Sequence, residues 1–145
     1  MGVLAACLFA HVLLAQLVSS PWWVPDVTLV GVMVSVTRAP SRWLLVSWLA
    51  GLSTLLWTLR HAAPVMISMI VLGGIVRLLA AHWDATDARV QYLVVGLASC
   101  LMTTGAIWLD GCWSLPLLGL AAVHIALTCL AFCIIRCLLV AGETG

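Results

Sequence analysis

Apolar residues run along this chain in blocks long enough to form membrane-crossing helices, and short polar groups break the blocks apart. The first block, residues 1–18, ends at Ser19-Ser20-Pro21. A linker, Trp22-Trp23-Val24-Pro25-Asp26, opens a second block at 25–37, whose apolar part is only Val27 to Val36. Proline fits the first turn of a helix and aspartate favours its positive end, so Pro25 and Asp26 mark the start. Thr37-Arg38-Ala39-Pro40-Ser41-Arg42 precedes a third block at 43–59, and Arg60-His61-Ala62-Ala63-Pro64 a fourth at 64–81. The most polar stretch, His82 to Arg89, leads to a fifth at 90–109; Asp110-Gly111-Cys112-Trp113-Ser114 then turns the chain into the last and longest, 115–140. About 20 apolar residues cross a hydrocarbon core of about 30 Å. The pattern therefore predicts an all-α integral membrane protein, a six-transmembrane-helix bundle forming a single polytopic domain over residues 1–145. A membrane barrel would alternate polar and apolar residues, whereas these blocks are apolar on every face.

Composition sharpens that expectation. The 145 residues are 65% hydrophobic and 8% charged, with a mean hydropathy of +1.24. A water-facing domain carries roughly 25% charged residues, so the expected solvent is lipid. A net charge of +1 offers no electrostatic grip on nucleic acid. The opening block lacks the basic start and small-residue cleavage site of a signal peptide, and reads as the first span.

The short second block is the weak point, since half-insertion would leave five spans and put the termini on opposite sides. Basic residues in short loops and at span ends collect on the cytoplasmic side. With the N-terminus inside, six spans place Arg38, Arg42, Arg77, Arg89 and Arg136 in the cytoplasm, and only Arg60 outside with Asp26 and Asp110. Removing the second span spoils this asymmetry, so six spans with both termini cytoplasmic is the expected arrangement.

Candidate chemistry is sparse. Cys7, Cys100, Cys129, Cys133 and Cys137 fall within blocks and Cys112 stands alone in an outer loop, which argues against an internal disulfide. Cys129, Cys133 and Cys137 recur every four residues and share a helix face. They read as small, polarizable packing residues rather than a metal cluster. His11 and His124 fall near the expected midplane, where they could ligate haem from two sides; a hydrogen bond across a helix interface is the commoner role. No cofactor and no metal are expected. Arg77 sits inside a block and is expected to snorkel toward the inner interface, with Asp84 or Asp87 as possible contacts. Gly73-Gly74 just before it permit close packing or a kink. Ala6 and Ala10 form a small-xxx-small pair that lets another backbone approach. Trp22, Trp23, Trp43, Trp83, Trp108 and Trp113 lie at expected span ends and read as an interfacial belt; Trp48 and Trp57 read as packing residues. Catalytic and nucleotide motifs such as H-E-x-x-H or a P-loop do not occur.

The layout as a whole resembles MreD, the small membrane subunit of the bacterial rod-shape (cell-elongation) complex. The resemblance runs through the length, the short first span, and Pro25-Asp26 opening a second apolar run that ends at Thr37-Arg38-Ala39-Pro40. It continues in a third span that opens with Trp43 and carries Leu49-Ala50-Gly51-Leu52, and in the long C-terminal helix. Where that family commonly has an acidic residue after its glycine-leucine pair, this chain has Ser53-Thr54-Leu55-Leu56. Any role of that acid is therefore not carried over. The resemblance implies a non-enzymatic scaffold of the cytoplasmic (inner) membrane. Its implied partners are membrane lipids, a single-span protein such as MreC and, indirectly, a peptidoglycan synthase and a cytoskeletal filament. It also implies a fold similar to the substrate-binding subunit of energy-coupling-factor transporters, which dock through small-residue motifs in the first helix as Ala6 and Ala10 echo. A solute (vitamin)-binding subunit is thus the alternative. It would close a polar pocket using groups such as Asp26, Arg60, His61, Asp110 and Trp113, whereas a scaffold would present an apolar groove to a partner helix.

Overall fold

The structure, a computed structural model, describes residues 2–18, 20–57, 62–82, 87–111 and 113–143. Six α-helices follow one another: α1 (Gly2–Leu17), α2 (Val27–Arg38), α3 (Trp43–Trp57), α4 (Ala62–His82), α5 (Ala88–Asp110) and α6 (Leu115–Glu143). Two single 3-10 turns, Pro21–Trp23 and Pro40–Arg42, flank α2. No strand occurs among the described residues. α4, α5 and α6 are long and apolar enough to cross a membrane; α1 and α2 are shorter apolar helices.

α2 is the centre of the bundle and touches all five other helices. Its 12 residues span about 18 Å, well short of a hydrocarbon core. Every residue from Val27 to Val36 is buried. Valines at 30, 32, 34 and 36 alternate as in a strand, and β-branched residues disfavour helix in water. The segment is helical because a backbone enclosed by other helices must satisfy its own N–H and C=O groups. Asp26 starts it: the carboxylate accepts a hydrogen bond from the Leu29 amide at 3.0 Å, as an N-cap does. The Asp26 amide donates to Thr128 Oγ1 at 3.0 Å, and that hydroxyl donates to the His124 carbonyl at 3.0 Å. The helix entrance is thereby latched to α6. At the other end the Thr37 hydroxyl turns back onto the Met33 and Val34 carbonyls, and Arg38 closes the last turn, where a cation suits the dipole.

The helices around α2 pair as antiparallel neighbours. Gly51 of α3 lies beside Met66 of α4, and Trp43 lies beside Gly74 and Arg77. Gly96 of α5 approaches Cys129 of α6, and Tyr92 meets the Phe132 ring edge-on with centroids 5.0 Å apart. Gly111 ends α5 with φ of 65°, a left-handed backbone that glycine adopts without a Cβ clash, and its amide returns to the Ile107 and Trp108 carbonyls. Asp87 caps the start of α5 by accepting from the Arg89 amide at 2.9 Å.

One expectation about tryptophan is revised. Trp48 is 46% exposed rather than packed. The inward face of α3 is Val46, Ser47, Ala50 and Gly51, and Trp48 falls on the opposite side of a 3.6-residue turn. Trp22, expected in a belt, is half-buried and packs edge-on to His124 with centroids 6.4 Å apart. Trp23, Trp108 and Trp113 are exposed, as belt residues would be. The side chain of Trp57 and all of Trp83 lie outside the described residues.

Candidate functional site

Glycine and small side chains set how closely the helices pack, and this builds the first of two features. A Cβ on Gly73 would overlap Ser47 Oγ, which itself donates to the Trp43 carbonyl at 2.8 Å. A Cβ on Gly51 would stand 2.5 Å from Met66 Sδ, and one on Gly74 would reach 3.5 Å from the Trp43 ring. Gly51, Gly73 and Gly74 therefore line a single seam between α3 and α4. Arg77 ends this seam, its guanidinium carbon 5.7 Å from the Trp43 ring centroid. A cation over an indole face is attractive, and the contact lets Arg77 hold its charge at the rim of the bundle. Of the two carboxylates expected near it, Asp87 accepts a hydrogen bond from the Arg89 amide at 2.9 Å. Asp84 lies outside the described residues.

The remaining sequence candidates do not join that seam. Pro25 and Asp26 are at the α2 entrance on the α6 side, where Asp26 acts as cap and latch. Ala6 is exposed and Ala10 half-buried, so this pair does not bring α1 and α2 together. The close approach comes from Gly31, where a Cβ would stand 2.8 Å from Cys7 Cβ. Leu4 and Cys7 are the buried positions of α1. Gly31 was the signal available in the sequence, an isolated glycine in a valine run.

The second feature is a groove of about 550 Å³ between α4 and α5. These two helices follow one another in the chain yet touch sparingly. Leu72 and Val94 form its buried floor against the core around α2. Its rim carries Val71, Ile75, Leu93, Leu97 and Leu101, all exposed. Two polar residues line it, Ser68 toward one end and Arg89 at the other. The Ser68 hydroxyl donates to the Pro64 carbonyl of its own helix at 2.7 Å, which leaves Arg89 as the cationic group on an apolar wall.

The histidines and cysteines form no metal-binding cluster among the described residues. The Nδ1 atoms of His11 and His124 are buried with no hydrogen-bond partner among the described residues, as are the Ser35 and Ser99 hydroxyls. Cys7 is buried, Cys129 and Cys133 are half-buried and Cys137 is exposed. Of the groups a polar pocket would need, Asp110 and Trp113 are exposed, and Arg60 and His61 lie outside the described residues. Comparison with protein-family models, with curated proteins and with solved structures found no match to this chain.

Proposed function

We propose that the chain is a non-enzymatic scaffold subunit of a bacterial cell-elongation (rod-shape) complex, an MreD-like protein of the cytoplasmic membrane. In this reading all six helices cross or line the bilayer, and both termini are cytoplasmic. It binds a single-span partner such as MreC and through it supports peptidoglycan synthesis and cell shape. The observation that carries the choice is that the groove between α4 and α5 is walled by apolar side chains rather than built as a polar chamber. A solute site needs convergent polar groups in an apolar pocket. Asp26 is already engaged by the Leu29 amide, and Asp110 and Trp113 face outward. Outward apolar faces such as that of α1, with Phe9 65% exposed beside Ala6, suit packing against another span.

The test is affinity purification of the tagged full chain from its native membrane in mild detergent. The expected outcome is recovery of a single-span, coiled-coil partner in stoichiometric amount. Recovery of transporter ATPase subunits instead would overturn the scaffold reading in favour of the vitamin-binding subunit.

A further inference from the structure

The groove between α4 and α5 has a polarity, a length and a wall chemistry, and together these identify what fills it. Along α4 it runs from Ser68 to Leu79 and along α5 from Arg89 to Met102. At the helical rise these stretches are about 17 and 20 Å long, a little more than half of a hydrocarbon core of about 30 Å. A membrane-spanning helix laid in it would leave the groove near the midplane and run on without a seat. An acyl chain from one leaflet would be enclosed for most of its length.

Wall chemistry points the same way. Helix pairs in membranes pack through small residues that let backbones approach, and this wall is mostly leucine, isoleucine and valine, with Ser68 and Ala98 the small exceptions. Branched aliphatic side chains conform to a flexible hydrocarbon tail. The volume, about 550 Å³, lies within the range of sites for small molecules. Among the described residues that line it, the one charged side chain, Arg89, stands at one end, where α5 begins. Basic groups between membrane helices near an interface attract anionic headgroups. The neighbouring Asp87 carboxylate is turned onto the Arg89 amide as a cap, so the guanidinium is the group that faces a headgroup.

We infer that this groove is a binding site for one anionic phospholipid, its acyl chain between α4 and α5 and its phosphate on Arg89. The site fills the space left where α4 and α5 diverge and completes the wall around α2. It stands apart from the scaffold reading, since a lipid-filled groove is compatible with any partner docking elsewhere.

The full chain, reconstituted in vesicles of equal phosphatidylglycerol and phosphatidylcholine, is released into the gas phase for native mass spectrometry. One retained phospholipid is expected, with phosphatidylglycerol preferred about fivefold, the worth of one basic side chain at an interface. Arg89→Gln should abolish the preference and Arg89→Lys should keep it. Ala98→Phe, which narrows the groove, should reduce retention of both lipids. Equal retention in the parent, or an unchanged preference in Arg89→Gln, overturns the headgroup assignment. Unchanged retention in a folded Ala98→Phe variant overturns the groove. If Ala98→Phe does not fold, a photo-crosslinker at Leu97 decides: capture of lipid supports the site, and capture of a polypeptide helix sinks it.

Discussion

At the scale of single residues, helix contacts in this protein are limited by what has no side chain. In the membrane setting proposed for it, lipid is as apolar as leucine, so close packing and polar contacts rather than a hydrophobic force hold the helices together. Gly73 is the tightest case, because its missing Cβ leaves room for the Ser47 hydroxyl. Gly73→Ala is expected to destabilise by about 1–3 kcal/mol, the cost of overpacking a fitted contact. Adding Ser47→Ala should recover part of that loss, since the two sites share one contact and will not be additive. The same change at Gly119, where a Cβ would meet nothing within 4 Å, should be neutral or better. Thermal unfolding in detergent, followed by circular dichroism, separates the three. Equal losses at Gly73 and Gly119 would show that the seam is not what sets the contact.

At the scale of the element, α2 depends on how it is started. It is short, it is rich in β-branched residues that form helices poorly, and every residue from Val27 to Val36 is buried. The Asp26 cap therefore matters twice, satisfying the Leu29 amide and holding the chain where Thr128 fastens it to α6. Asp26→Ala is expected to cost about 1 kcal/mol, and Asp26→Asn, which keeps an acceptor, only a fraction of that. Thr128→Val should reproduce part of the effect by removing the acceptor for the Asp26 amide. Hydrogen exchange of the α2 amides is the direct reading, and protection unchanged in Asp26→Ala would refute the capping role.

At the scale of the whole molecule, the antiparallel pairing of α3 with α4 and of α5 with α6 is the pattern that alternate crossings require. Combined with the arginine asymmetry, it leads to a firm expectation for reporters fused at the two ends. A reporter active only in the cytoplasm should be active at both termini and inactive when inserted after Trp113. Opposite activities at the two termini would show an odd number of crossings, with α2 failing to carry the chain through. The shortness of α2 makes this the informative measurement. Its length of about 18 Å suffices only where surrounding helices, rather than lipid, line the rest of the path.

Hydropathy and punctuation alone determined the number of helices among the described residues, their order and their limits to within a few residues. They could do so because each segment is apolar throughout and each break carries prolines, charges or glycine. The start of α2 near Asp26 and the turn at Gly111 were legible for the same reason, being local events within a few residues, although Pro25 lies before the helix rather than in its first turn and Asp26 is its cap. Tertiary structure decided the rest. Segments apolar on all faces have no periodicity to show which side turns inward. Thus the exposure of Trp48, the packing of half-buried Trp22 on His124 and the outward placement of Ala6 could be known only once neighbours were in place. Gly51, Gly73 and Gly74 were visible one by one, but their union in a seam ending at Arg77 and Trp43 depends on the register between α3 and α4. The groove left no local sign at all, since it is made by two helices that diverge. Sequence determines what each segment is made of; which faces meet, and where they leave space, is set by how side chains from distant segments fit.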